Sequence, residues 1–317
     1  MCGPQGGELA LPYRWQWRVE KWKNAMRGFF GGGNQQPRPK ICPACGTLVG
    51  ISATRCHECG TSLRFSLVAL SKSLGGTIGG ETPVTTLILI LNLLLFGVSL
   101  VATNQANSSP NLFSGVSGRV LYQLGARQSI AVLAGEWWRL VMPMFLHAGL
   151  LHIGMNSLFL VDIGPQVERI YGSARYLFIY VVTGICSFLA STAWNLWAYH
   201  GFGVGIGASG ALAGLIGVMW GMTTGRGGSY AREIRAQMIR MAGYLVIMAI
   251  LPIGIDNAAH FGGLAAGFLL GKLLADREPM NAVEFKRAYA LGWLAGIVVV
   301  ASFAMMFLHF RDVLPGR

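Results

Sequence analysis

The chain has 317 residues, 53% of them hydrophobic and 12% charged, where soluble globular domains carry roughly 25% charged residues. That composition excludes an ordinary water-soluble domain and predicts a membrane protein. The formal net charge of +12 does not point to nucleic acid, because the Lys and Arg flank apolar runs instead of forming one face.

Residues 1–40 form a basic, aromatic tail, with Arg14, Arg18, Lys21, Lys23 and Arg27 among Trp15, Trp17, Trp22, Phe29 and Phe30. Such a segment suits either the anionic surface of a bilayer or disorder. Its Gly- and Pro-rich end, 31–39, reads as a linker.

Residues 41–62 hold two C-x-x-C pairs, Cys42 with Cys45 and Cys56 with Cys59, each followed by a glycine (Gly46, Gly60). Four thiolates at this spacing close tetrahedrally around Zn²⁺, so a zinc-ribbon with a structural metal is expected; disulfides or a redox dithiol are the competing readings. A module of this size has no core of its own, and the metal would supply its folding energy. His57 is not needed as a ligand. The role expected for the module is to bind a cytoplasmic partner protein or to regulate the apolar region beyond the linker at 63–83. Cys2 and Cys186 are left over, and Cys186 reads as a buried apolar residue.

Seven apolar stretches come next, at approximately 84–103, 144–163, 176–198, 206–224, 241–255, 258–275 and 288–310. Each approaches or exceeds the roughly 17–25 residues that cross a bilayer as a helix, the second and fifth being the weakest. Nothing before residue 84 resembles a cleaved signal peptide, so the first stretch is expected to remain as an anchor. Basic residues concentrate at the N-terminus and at 169–175, 226–240 and 272–287, whereas 199–205 and 254–257 carry no Lys or Arg. The positive-inside rule then places the N-terminus in the cytoplasm and the C-terminus outside.

Polar residues inside spans are expensive and each is a functional candidate. The second span carries His147, His152 and Asn156, the fourth Ser209 and the sixth His260. These three spans run in the same direction, and each cluster lies near its beginning, so the side chains are expected to meet in one shallow cavity on the outer side. His152 and Asn156, four apart, share a helix face. Gly210, Gly214, Gly217 and Gly221 in one helix and Gly263, Gly267 and Gly271 in the other allow close approach, which would bring Ser209 beside His260. Ser209 would then be a nucleophile activated by His260 as base, with His152, Asn156 and the Ser209 N–H as oxyanion donors. The bland readings are helix packing for Ser209 and interhelical hydrogen bonds for the His and Asn. Asp162, Glu168, His200 and His309 read as interfacial or structural residues, and Asp256 as an N-cap.

The segments EWWRLVMPMFLHAGLLHIGMN (136–156), GASG (207–210) and AAHFGGLAAG (258–267) resemble the rhomboid intramembrane serine proteases. The resemblance covers about 84–275. It implies an all-α polytopic fold with a rhomboid-like six-helix core, to which the seventh C-terminal span and tail (276–317) and the zinc-ribbon are additions. It also implies Ser209 and His260 as a dyad without an acid, His152 and Asn156 as the oxyanion-stabilising pair, a structural or cavity-lining His147, and Trp138–Arg139 as a folding element. Substrates would be transmembrane segments of membrane proteins, cut without a metal or other cofactor in the bilayer of a bacterial inner membrane. Some members place a tyrosine four residues after the serine, stacked on the catalytic histidine, where this chain has Ala213. The competing readings are a non-catalytic membrane-protein binding or quality-control factor on the same scaffold, and a metal enzyme using His147, His152 and His260. The first typically lacks the Ser or His, and for the second no carboxylate accompanies the histidines.

Overall fold

The computed structural model describes residues 40–41, 47–50, 53–54, 57, 81–105, 115–201, 203–250 and 255–313. The chain separates into two compact units, Met1–Pro83 and Val84–Arg317. In the first, β1 (Lys40–Ile41) pairs antiparallel with β2 (Leu48–Val49), Lys40 opposite Val49 and Ile41 opposite Leu48. Cys42, Cys45, Cys56 and Cys59 lie outside the described residues, as does the tail expected at 1–39.

The second unit is a mostly helical bundle. Its helices are α1 (Pro83–Gln105), α2 (Gly118–Gln123), α3 (Ser129–Leu133), α4 (Leu150–Tyr171), α5 (Ser173–Tyr199), α6 (Ser209–Thr223), α7 (Ser229–Ile250), α8 (Asn257–Leu273) and α9 (Ala282–Val313). Between α2 and α3 runs β3 (Arg127–Gln128), and before α6 runs β4 (Val204–Gly205); the two pair antiparallel, Arg127 opposite Gly205.

A helix accompanies each of the seven expected spans. Pro83–Gln105, Ser173–Tyr199 and Ala282–Phe310 are long and apolar enough to cross a membrane by themselves, and Ser209–Thr223 is a shorter apolar helix. Two boundaries differ from expectation. The second span was expected from 144, but two 3-10 turns, Trp137–Leu140 and Met142–Phe145, occupy that region and the helix starts at Leu150. Pro143 stands in the second turn, where its missing N–H and fixed φ suit a tight start. The helix then passes Asp162 and Pro165 and stops only at Gly172, whose φ is +77°. The fifth span was expected at 241–255, but α7 begins at Ser229, immediately after Gly228 at φ +95°. Hydropathy marks only its apolar half, whereas the backbone has no reason to break through the polar turns from Ser229 to Arg240.

The core sits around α6, which is buried along nearly its whole length. A Cβ on Gly217 would collide with the Leu264 carbonyl and one on Gly221 with that of Phe268. From the other side, Gly263, Gly267 and Gly271 face the carbonyls of Gly210, Gly214 and Val218. The α6–α8 interface is therefore backbone against backbone, and Gly210 and Gly214 also admit Ser187 and Thr183 of α5.

At the far end of the bundle, Glu168 of α4 accepts from the Val84 N–H (3.0 Å), the Thr85 N–H (2.8 Å) and the Thr85 and Ser173 hydroxyls (2.7 Å each). A carboxylate at these donors caps the start of α1 and opposes its dipole. The loop before α4 is held by fully buried Arg139, which donates to the carbonyls of Tyr122 (2.7 Å) and Ala126 (3.0 Å) and lies over the Tyr122 and Trp138 rings. His309 of α9 meets the same group, with its Nε2 3.2 Å from Arg139 Nη2 and its ring 5.4 Å from that of Trp138. Phe303 of α9 packs on Phe145 at 5.5 Å, so the last helix braces both 3-10 turns.

Candidate active site

Ser209 is the first residue of α6, and its N–H is among the four donors that a helix start leaves without an intrahelical acceptor. His260 is the fourth residue of α8. The glycine-lined contact brings the two helix starts together, and Ser209 Oγ lies 2.7 Å from His260 Nε2. At that distance the hydroxyl can donate to an unprotonated Nε2, which makes the imidazole a base for the serine. The proton of the neutral ring then sits on Nδ1, which has no hydrogen-bond partner among the described residues. The pair is a dyad, with no carboxylate on the imidazole and no aromatic ring stacked on it among those residues; Ala213 is buried one turn along α6.

Asp256 does not take the part of a third member. Its Oδ1 accepts from the Ala259 N–H at 3.0 Å, the N-cap of α8, as expected. Its Oδ2 accepts from Arg127 Nη2 at 3.2 Å and from the Ser191 hydroxyl.

His152 approaches from α4. The Ala148 N–H donates to its Nδ1 at 3.3 Å, so the neutral ring carries its proton on Nε2. That nitrogen lies 2.7 Å from where a Cβ on Gly207 would stand, and Ser209 Oγ lies 3.7 Å from the same point. Gly207 has φ +117°, and its N–H donates to the Pro143 carbonyl at 2.8 Å. A glycine is required there twice over, once for the backbone angle and once for the space. The missing side chain lets the His152 ring stand close against the Gly207 backbone, with Ser209 Oγ beside it.

Asn156 is buried one turn beyond His152, and one hydrogen of its amide goes to the His152 carbonyl at 2.8 Å. His147 is fully buried, edge-on to His152 at 5.2 Å between ring centres. The five residues singled out from the sequence therefore gather at one end of the bundle. Arg127 was missed as a contributor; its signal was a charged residue in a loop with few charges, and its partner lay next to a motif already singled out.

The fold and this geometry define a polytopic helical membrane protein with a Ser–His pair at adjoining helix starts. Residues 134–277 match the Rhomboid domain model. Rhomboid protease GluP of Bacillus subtilis is 30% identical over 236 residues, covering 73% of this chain and 41% of that protein. The rhomboid-family protein YdcA of the same organism is 34% identical over 196 residues, covering 62% of this chain and 90% of that protein. RHOMBOID-like protein 5 of Arabidopsis thaliana is 38% identical over 180 residues, 56% of each chain. The chain thus spans less than half the length of GluP and nearly all of YdcA. It belongs to the rhomboid family.

Proposed function

We propose that the protein is an intramembrane serine endopeptidase that cuts transmembrane segments of other membrane proteins. The observation that carries this reading is the 2.7 Å contact of Ser209 Oγ with His260 Nε2, with His152 Nε2 close by at Gly207. Ser209 Oγ attacks the scissile carbonyl carbon as its proton passes to His260. The oxyanion forms beside Ser209, facing the His152 Nε2–H and the Ser209 N–H, with Asn156 steadying the His152 turn and offering its second amide hydrogen. Collapse breaks the C–N bond, and His260 returns the proton to the leaving amine. A water, deprotonated by His260, then attacks the acyl carbonyl, and the ester C–Oγ bond breaks as His260 returns the proton to Ser209 Oγ.

A fluorophosphonate probe tests this in mild detergent. Ser209 forms the O–P bond, fluoride leaves and His260 takes the proton. Labelling of the wild type that disappears in Ser209→Ala and His260→Ala is the expected result. A folded wild type that neither labels nor cleaves a transmembrane substrate in liposomes would instead be a non-catalytic binding factor.

The N-terminal unit is proposed to hold a structural Zn²⁺ through Cys42, Cys45, Cys56 and Cys59. The β1–β2 hairpin brackets the first cysteine pair, which suits a metal knuckle. The basic loops support a cytoplasmic N-terminus in a bacterial inner membrane, where reduced thiols would be available to the metal and the module would meet a cytoplasmic protein partner. Zinc content measured on the purified protein should be about one per chain and fall in Cys42→Ser. An unchanged zinc content in that variant rejects the assignment.

A further inference from the structure

We propose that Arg127 is a positioning residue that sets the register of His260 against Ser209, acting through its ion pair with Asp256; the proposal rests on the hydrolytic reading above. Arg127 belongs to neither catalytic helix, yet it is tied to both. Its backbone pairs with Gly205, four residues before Ser209, so β3 holds the strand that delivers the serine. Its side chain, only 4% exposed, reaches Asp256 Oδ2 at 3.2 Å and thereby the N-cap of α8, four residues before His260. The same guanidinium donates from Nη1 to Ser129 Oγ at 3.0 Å and to the Gly203 carbonyl at 3.5 Å.

The surroundings are shaped for this group. A Cβ on Gly205 would stand 2.9 Å from Nε and Nη2 of Arg127, so glycine opens the passage through which the guanidinium runs. Ser129 passes the link to Asn195 of α5 at 2.9 Å, and Ser191 of α5 donates to Asp256. The first loop, α5, β4 and α8 all converge on one charge pair, its guanidinium buried and its carboxylate partly exposed.

The glycine stripe explains why such a tie is needed. Gly263, Gly267 and Gly271 give α8 a stripe without side chains toward α6, which allows close approach; the ring contact of Trp220 with Phe268, 6.4 Å between centres, lies farther along the pair. One residue of slip moves an atom by about 1.5 Å along the axis, more than a hydrogen bond between Ser209 and His260 tolerates. The Arg127–Asp256 pair fixes α8 at its end, where the stripe does not.

The test uses the full chain in mild detergent and follows fluorophosphonate labelling in time for wild type, Arg127→Met and Arg127→Lys. The end-point counts folded, reactive sites, and the rate constant reports how well the dyad is set. Misplacement by about 1 Å costs up to roughly 100-fold in rate, so Arg127→Met should reach the wild-type end-point about 10- to 100-fold more slowly. Arg127→Lys keeps a cation for Asp256 but cannot also span to Ser129, and should fall between the two. With a transmembrane substrate, kcat should drop and KM should stay within about twofold, because a buried group removes no uniform binding. An unchanged rate constant in Arg127→Met, whatever its end-point, overturns the proposal. If that variant gives no end-point, Arg127→Lys carries the test, and a rate equal to wild type overturns it there. A folded wild type that neither labels nor cleaves a transmembrane substrate in liposomes would sink the hydrolytic reading itself, whereas a wild type that labels no faster than Arg127→Met sinks only the role of Arg127.

Discussion

The Nε2 of His152 and the Oγ of Ser209 border one point in space, 2.7 Å and 3.7 Å away from it respectively, and that point is where a side chain on Gly207 would begin. Alanine at 207 would crowd His152 Nε2, the proposed oxyanion donor, and hold φ at +117°, a region that costs a non-glycine residue about 1–3 kcal/mol. Gly207→Ala should therefore lose cleavage almost entirely, with a stability loss of at least that size. Wild-type turnover in the variant would rule out His152 as a donor held at this place.

Removing the donor should separate chemistry from folding. His152→Ala is expected to lower kcat by about 100- to 1,000-fold, the usual effect of deleting one oxyanion donor. Its probe labelling should slow as well, because the phosphonyl oxygen would meet the same donor. A change confined to KM would assign His152 to substrate binding instead.

The glycines of the core are not equivalent. Alanine at Gly263 would press against the Gly210 carbonyl, and overpacking of this kind costs about 1–3 kcal/mol or more. Gly296 in α9 has nothing within 4 Å of a Cβ, so Gly296→Ala should be neutral or stabilise by up to about 1 kcal/mol through helix propensity. Thermal unfolding in one detergent compares the two directly. Equal melting points would contradict the backbone contact between α6 and α8.

On the opposite side of the bundle Asp276 pairs with Arg226, bonded through both carboxylate oxygens, one of them at 3.1 Å from Nη2. The hydrogen bond from Arg226 holds the Asp276 carboxyl below its ordinary value. A depressed native value means that the stabilisation is present above the unfolded pKa, about 4, and is lost as pH falls through the native one. Asp276→Asn should thus lower the melting temperature slightly at neutral pH, the difference shrinking below about pH 4. A gap that widened on acidification would reverse the assignment. The effect is small because the pair is solvent-screened.

Much of the site was legible because its chemistry is written in residues that membranes rarely tolerate. Ser209, His260, His152 and Asn156 stand out against apolar neighbours, and the four-residue glycine spacing foretold which two helices would meet. Contacts that depend on the path of the loops were not legible. Arg127 meets Asp256 across 129 positions, and Arg139 meets His309 across 170. Neither pair follows a periodicity. Helix ends were misjudged for a related reason, since hydropathy reports what a segment faces and not where its hydrogen bonding stops; α7 runs on through the polar turns that hydropathy discounts.

The 15 residues of α6 have a consequence for where hydrolysis takes place. At 1.5 Å per residue the helix is about 22 Å long, against a hydrocarbon thickness of about 30 Å. If its far end reaches one face of the bilayer, Ser209 lies about 8 Å beneath the other. Peptide-bond cleavage consumes a water for each bond, so the polar side chains gathered there must also lead solvent down into the lipid layer. The shortness of one helix thus determines how far each water must descend before a bond can be cut.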